Sequence, residues 1–351
     1  MFKRITKLLL SGIAGAILIA SAVTSHAGEN WSMATSWGGG PFLKKDAEGF
    51  ARYVEQLTAG RIKIQVFPGG TLGKPLKVSD TVKSNVAQIG HTWMAYDWGI
   101  DKTTVIFANM AGGLNPEELI IWFYEGGGAE LASEYRREQF GVESIPCGIF
   151  PTEIFLHSTK RIQTLDDFQG LKMRTAGAWA EIAGNLGAST VILPGSEVYP
   201  ALERGVIDAT EWSSPSVNLP SGFHKIAKYI IMPGVHQPGA VQECPINLDA
   251  WNRISKEDQE LVKLAGRLMV MESWIRYAYH DIDALAQMRA HGNEFVKLDP
   301  EFIKAAHEAA DKWSDEQAAA NPWFKRALDS RRKFQKALRE SWNFFRFPIG
   351  M

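Results

Sequence analysis

What this sequence most plainly lacks is an excess of either charge. Its 351 residues carry 38 Lys and Arg against 39 Asp and Glu. That is neither the basic surplus that a nucleic acid partner demands nor the acidic surplus of a solvating tail. Cysteine is nearly absent, with only Cys147 and Cys244. This excludes a small scaffold stapled by disulfides, and the spacing fits no zinc or redox motif. A chain of this length builds a core without a bridge, so two buried free thiols are the expectation, although an exported compartment would permit a bond between them. Enzyme signatures are missing too: no GxSxG, GxxxxGK[ST] or HExxH occurs. Long apolar runs are limited to one, Leu8 to Val23, which follows Lys3, Arg4 and Lys7 and leads to Ser25-His26-Ala27. At about 16 residues it is shorter than the roughly 20 of a membrane span. Its flanks are those of a cleaved secretory signal peptide over 1–27, with an uncleaved anchor as the alternative. No cysteine follows the run, which argues against a lipoprotein.

What is present is the composition of a globular protein, 45% apolar and 22% charged, long enough for two domains. Leu43, Ala47, Phe50, Val54 and Leu57 recur at helical spacing, and Ile62, Ile64 and Val66 then alternate with polar residues as in a strand. Short helices and short strands keep alternating to about residue 212, which predicts an α/β fold with parallel strand pairs. KSNVAQIGHTW (83–93) echoes LERGVIDATEW (202–212). Each reads as a helix end, a residue tolerant of the left-handed conformation (Asn85, Gly205), a short strand, then polar and aromatic residues. The repeat suggests two similar lobes. Ligands of open α/β sheets bind beyond the C-terminal ends of strands, so His91, Trp93, Glu211 and Trp212 are candidates to face a common cleft. Beyond Ser255, Leu261, Leu264, Leu268, Met271, Trp274, Ile275, Ile282, Leu285 and Met288 carry one helical period. A helix over 255–290 would run about 50 Å and form a spine between the lobes. A final helix pair occupies 300–345. Its last part sets Phe324, Leu328, Phe334, Leu338, Trp342 and Phe345 against a basic face, which reads either as a dimer or docking surface or as a packed helix with solvated charges.

The residues able to carry chemistry are mostly carboxylates at element ends. They are Glu153 in FPTEIF, Asp208 and Glu211 in GVIDATEWSS, and Glu243 in AVQECP, with Arg174 closing LKMRT. Glu153 and Glu243 sit inside apolar runs, where a lone charge would cost several kcal/mol unless paired or bound to a metal. Oxygen-rich clusters suit Ca²⁺ or Na⁺, and no His pair has zinc spacing. Gly38-Gly39-Gly40 and Gly126-Gly127-Gly128 are weak signals; the first follows a strand and opens a helix, where backbone N–H groups could meet an anion.

Taken together, LDDFQGLKMRTAG, ALERGVIDATEW, NLDAWNRISKEDQELV, the apolar leader and the spine helix resemble the periplasmic solute receptors of TRAP transporters, over nearly the whole mature chain. GFHKIAKYIIMPGVHQPG and the extra C-terminal helix are similar to the branch that holds an α-keto acid or lactate with a metal ion. The resemblance implies an α/β, two-lobed, type II-like solute-binding fold with an inter-lobe spine helix and an extra C-terminal helix. Lobe I would take 28–150 plus 213–245, lobe II 151–212 plus 246–300, and the C-terminal helices 301–351. Arg174 would pair with the ligand carboxylate. Glu211, the Trp212 carbonyl and Glu243 would hold the ion, with Glu153 as a further ligand of ion or substrate. Glu153 stands where keto-acid receptors carry glutamine, and its extra charge tilts the ion from Na⁺ towards Ca²⁺. Trp212, Trp93 and Phe107 would wall the cleft. The implied protein is a periplasmic, non-enzymatic receptor that serves a TRAP membrane permease and forms a homodimer through its C-terminal helix. The rival reading is a secreted metal-dependent hydrolase using Glu153 and Glu211.

Overall fold

The computed structural model describes residues 28–346; the leader expected over 1–27 lies outside them. Two mixed sheets face each other. The first is ordered β2-β1-β3-β10-β4, from β1 (Glu29–Thr35), β2 (Ile62–Phe67), β3 (Ile89–Trp93), β4 (Val142–Phe150) and β10 (Ala240–Asn247). The second is ordered β11-β9-β5-β8-β6-β7, from β5 (Leu156–Ser158), β6 (Lys172–Arg174), β7 (Ser189–Val191), β8 (Ala209–Thr210), β9 (Tyr229–Met232) and β11 (Glu294–Lys297). Parallel pairs β1/β2, β1/β3, β6/β7 and β6/β8 give each sheet a set of strands with a common C-terminal edge.

The internal echo has a shared backbone geometry. Asn85 (φ 59°) and Gly205 (φ 69°) are both left-handed. Asn85 N–H donates to Val82 O at 2.9 Å and Val86 N–H to Thr81 O at 3.1 Å; Gly205 N–H donates to Leu202 O at 3.1 Å and Val206 N–H to Ala201 O at 2.9 Å. This is the doubled bond that closes a helix through a left-handed residue, used once before β3 and once before β8.

The chain changes sheet three times, by crossovers at 151–155 and 233–239 and through the helical stretch between β10 and β11. The two crossovers lie side by side, with Glu153 N–H donating to Gln237 O at 3.2 Å. A Cβ at Gly234 would sit 2.2 Å from the Glu153 carbonyl oxygen, so only glycine lets the two backbones approach. Strand membership corrects the expected division at 213–245. β9 pairs with β5 and β11 in the second sheet, and the chain regains the first only at Ala240. Cys147 on β4 and Cys244 on β10, 97 residues apart in sequence, form a disulfide across neighbouring antiparallel strands, with Cα atoms 5.8 Å apart. The expectation of two free thiols is thereby corrected: β4 and β10 are made neighbours by the return crossover, a tertiary fact with no local imprint.

The spine helix runs Lys256–Ala290, and Ser255 caps it by accepting from Asp258 N–H at 3.0 Å. It packs on β4 in the first lobe and on helix Pro215–Asn218, and Met288 joins Ile154 and Ile230 beneath the second sheet. Its packed face is not the run of large apolar residues. Ala265, Gly266, Met269, Val270 and Ser273 are buried, while Leu264, Leu268, Met271, Ile275 and Ile282 are exposed. Close approach explains the choice, since a Cβ at Gly266 would meet the Pro146 carbonyl at 2.6 Å. Two helices follow, Pro300–Ala320 and Pro322–Phe345. Phe324, Ala327 and Leu328 of the last are buried in its own chain, and its basic face is engaged there too, with Arg326 on Glu134 and Arg339 on Glu118. Among the described residues no helix is long and apolar enough to cross a membrane.

Candidate functional site

Between the sheets lies a cleft with about 620 Å³ of open space. Strand ends supply most of its wall. The end of β6 brings Arg174, the stretch after β8 brings Glu211, Trp212 and Ser213, β3 and the turn after it bring Trp93 and Tyr96, and the crossovers bring Glu153, His236 and Gln237. Trp37, Phe42, Phe150 and Trp179 make the remaining wall largely aromatic.

Arg174 is 1% exposed. Its Nε donates to Leu193 O at 3.1 Å, and Nη1 donates to Glu211 Oε1 at 3.0 Å and to the Glu211 carbonyl at 3.3 Å. The guanidinium lies 5.1 Å from the Trp212 ring centre, which adds a cation–π contact. Nη2 is buried and has no partner. Further orphans line the same cleft: Trp179 Nε1, Ser213 Oγ, His236 Nδ1 and both amide atoms of Gln242. An unsatisfied buried polar group costs about 1–3 kcal/mol. Concentrating such costs in one cavity is intelligible where a polar ligand offsets them.

Glu153 faces Glu211 across the cleft. Burial, and then the Glu211 charge, push the Glu153 carboxyl well above the usual carboxylate range, with Arg174 pulling the other way. His236 Nε2 lies 3.1 Å from Glu153 Oε2, and burial pushes the imidazole down to about 4. The contact is therefore a hydrogen bond to a neutral ring rather than an ion pair. Burial raises the Tyr96 hydroxyl to about 12, so it remains a proton donor. Glu153, Glu211 and His236 each offer one atom to a group lying within 4.8 Å of one another. Two carboxylates held this close repel unless a cation stands with them, and two oxygens with one imidazole nitrogen make a fitting donor set for a hard or borderline cation. Gln237 adds to the fit. Its amide group donates to Gly239 O at 2.7 Å and Ala108 O at 3.3 Å, which anchors the side chain on the crossover.

The structure brings Arg174, Glu153, Glu211, Trp212 and Trp93 together, and leaves Glu243 and Phe107 out. Glu243 is buried on the other side of β10. Its carboxylate is gripped by Arg136, Nε to Oε1 at 2.9 Å and Nη2 to Oε2 at 3.0 Å, and Arg136 also pairs with Asp97 at 3.0 Å. Its neighbour Gln242 lines the cleft instead, at the point where β10 shifts register against β4. Phe107 is fully buried, stacked on Trp122 at 6.0 Å and Tyr135 at 5.4 Å in the first lobe's core. His91 does not line the cleft. Its Nδ1 accepts from Trp37 Nε1 at 2.8 Å and so positions a tryptophan that does. Asp208 pairs at the surface with Lys160 at 2.9 Å. The sequence reading missed His236, Gln237, Tyr96 and Gln242. A polar His-Gln pair held between Gly234 and Pro238, in a segment between two strands, was the available sign for the first two.

Comparison with known proteins agrees with this geometry. Residues 33–321 match the profile of the bacterial extracellular solute-binding proteins, family 7. A monocarboxylate 2-oxoacid-binding periplasmic protein of Nostoc sp. is 33% identical over 316 residues, covering 89% of this chain and 85% of the relative. A TRAP transporter solute-binding protein from Bordetella bronchiseptica superposes with TM-score 0.87 at 26% identity, over 91% of this chain and 95% of that one; it is described as a dimer of mixed occupancy with copurified calcium and picolinate. A TRAP periplasmic solute-binding protein from Pseudoalteromonas atlantica, with bound sodium and pyruvate, gives 0.85 at 29% identity, over 90% and 97%. The family is one of solute receptors, and the hydrolase alternative finds no support in it. With its two lobes, spine helix and cleft of unpartnered polar groups, this chain belongs to family 7 of the bacterial extracellular solute-binding proteins, the solute receptors of TRAP transporters.

Proposed function

We propose that the cleft binds a small monocarboxylate, a 2-oxo or 2-hydroxy acid such as pyruvate or lactate, together with a metal ion, and delivers the acid to the membrane permease of a TRAP transporter. The observation that carries this reading is the unpartnered Arg174 Nη2, buried in the same cavity as the Glu153, Glu211 and His236 cluster. Arg174 gives the acid's carboxylate a charge-assisted hydrogen bond. Tyr96, Ser213 and Gln242 offer further hydrogen bonds, and Trp93 and Trp212 exclude water, which strengthens every charge interaction within. Glu153, Glu211, His236 and the Trp212 carbonyl would hold the ion. When bound, it supplies positive charge among groups that would otherwise repel an anion.

Charge counting favours a divalent ion. Arg174 against ionised Glu153 and Glu211 leaves one negative charge, and a monocarboxylate makes two. Ca²⁺ brings that total to zero, whereas Na⁺ leaves an uncompensated charge in a site whose low dielectric makes it costly. The cleft lies between two sheets joined by two crossovers and a helix, so closure of the lobes about those crossovers fits the architecture. Secretion to the periplasm and a homodimer belong to the same reading. The C-terminal helix expected to form that dimer packs Phe324 and Leu328 into its own chain, so its first half is not a free surface.

A thermal-shift screen of small organic acids, with and without Ca²⁺, tests the assignment. The 2-oxo and 2-hydroxy acids should raise the midpoint only when the ion is present. Stabilisation by sugars or amines, with no response to any of these acids, would refute it.

A further inference from the structure

The tryptophans that line the cleft do not all use their indole N–H groups in the same way. Trp37 Nε1 donates to His91 Nδ1 at 2.8 Å and Trp93 Nε1 to Ala108 O at 3.2 Å, so both are satisfied within the chain. Trp179 is 3% exposed, and its Nε1 is buried with no partner. A buried indole ordinarily finds an acceptor, so this donor is open towards the cavity that its side chain lines. The turn after β6 sets its place. Gly177, with φ 64°, reverses the chain, and a Cβ there would lie 2.9 Å from the Trp93 ring. The turn brings Arg174 and Trp179 to the wall of one cavity. Phe155 and His236 flank the indole, with ring centres 5.8 and 6.1 Å away. His236 is a member of the Glu153, Glu211 and His236 cluster, so the indole stands beside the candidate ion site.

We propose that Trp179 is a specificity-determining residue: its indole N–H donates to the oxygen on C2 of the bound acid and makes an acceptor at C2 a condition of tight binding. This rests on the receptor reading above and deepens it. In a 2-oxo or 2-hydroxy acid the carboxylate and the C2 oxygen sit on adjacent carbons, so both can touch one cation. With Arg174 Nη2 on a carboxylate oxygen, the C2 oxygen falls on the ion's side, where the indole is. An indole N–H only donates. An acid with hydrogen alone at C2 leaves it unanswered, and a site built around a buried donor rejects such an analogue far more strongly than shape would. A 2-amino acid fares worse, because its ammonium has no lone pair and brings positive charge towards Arg174 and the ion. Ser213 and Gln242, also unpartnered in this wall, can each accept as well as donate, so neither imposes the same requirement. The class that fits is the 2-oxygenated monocarboxylates, with unsubstituted and 2-amino acids turned away by one residue.

Calorimetry of the mature chain at saturating Ca²⁺ tests this with pyruvate, propionate and alanine, in wild type and in Trp179→Phe. The variant keeps an aromatic ring against Phe155 and His236 and removes the N–H. Wild type should prefer pyruvate to both other acids. The variant should lose about tenfold of the preference for pyruvate over propionate, through weaker pyruvate binding, while Ca²⁺ affinity without acid stays the same. An unchanged pyruvate-to-propionate ratio would overturn the proposal, whether both affinities hold or both fall together, since the ring would then be packing alone. Should the variant not fold, the wild type still answers. In isotope-labelled protein, the indole N–H signal identified by its contacts with the Phe155 and His236 rings should move downfield with pyruvate and stay in place with propionate; an equal response to both acids would overturn the inference. A wild type that binds neither pyruvate nor lactate, with or without Ca²⁺, would overturn the receptor reading itself, and this inference with it.

Discussion

Replacing Glu153 by glutamine removes one charge from the cleft and almost no volume. In the metal-free protein Glu153 and Glu211 offer oxygens within 4.8 Å of each other. At that separation, two unit charges at an effective dielectric of 20 repel by about 3 kcal/mol. Burial and that repulsion hold the Glu153 carboxyl well above its ordinary range. A carboxyl whose folded value is raised stabilises the fold when protonated, so stability is fully present below the unfolded value and falls as pH rises towards the folded one, by at most about 1.4 kcal/mol per pH unit. Glu153→Gln should therefore be more stable than wild type in the absence of metal near neutral pH, with a flatter stability–pH curve above pH ~4.5. With metal the sign reverses. Loss of one full charge from a divalent site should cost about 3 kcal/mol of ion binding, a weakening on the order of 100-fold. Sodium, with half the charge, should lose about half as much. Thermal denaturation between pH 5 and 8 in chelator, and calorimetry with Ca²⁺ and with Na⁺, read both halves. A glutamine variant that is no more stable without metal and binds calcium as tightly as wild type would refute the placing of Glu153 in the ion site.

Arg174→Ala should abolish measurable acid binding in calorimetry, because it deletes the unpartnered Nη2 and the contact over Trp212; binding within twofold of wild type would remove the arginine from the site. Glu243→Gln should instead leave ligand affinity intact while lowering stability by about 3–5 kcal/mol, since Arg136 loses a buried charge partner, and denaturant melts separate the two effects. Replacing Cys147 and Cys244 by serine should cost up to about 4.7 kcal/mol through the closed loop, whose ends are 97 residues apart, visible as a lower urea midpoint with acid binding retained.

The legible part of the site was the part carried by local devices. Arg174 ends β6 and Glu211 follows β8, and the left-handed closure at Gly205 that precedes β8 is written in the sequence. Fold class and the spine helix were legible for the same reason, being periodicities bounded by recognisable caps such as Ser255. Glu243 was misplaced by one residue. Successive strand residues point to opposite faces, and the register shift beside Gln242 that fixes which faces the cleft is a pairing event between distant strands. His236 and Gln237 were hidden because a crossover has no period, and their roles depend on the second crossover alongside. The spine helix shows the limit of apolar periodicity. Its buried face is chosen by closeness of approach, so Gly266 and Ser273 turn inward while Leu268 and Ile275 turn outward. Phe107 was expected beside Trp93 and Trp212 in the cleft wall, but the helix that carries it turns the ring back onto Trp122.

The most direct test of the central claim is a calorimetric titration of pyruvate into the mature protein at a series of free calcium concentrations, starting from a chelated, sodium-free sample. If the ion and Arg174 hold one acid between them, ion and acid must strengthen each other's binding by the same factor, so pyruvate affinity should climb with calcium and vanish in chelator. Pyruvate binding of constant affinity across the whole series would contradict the account.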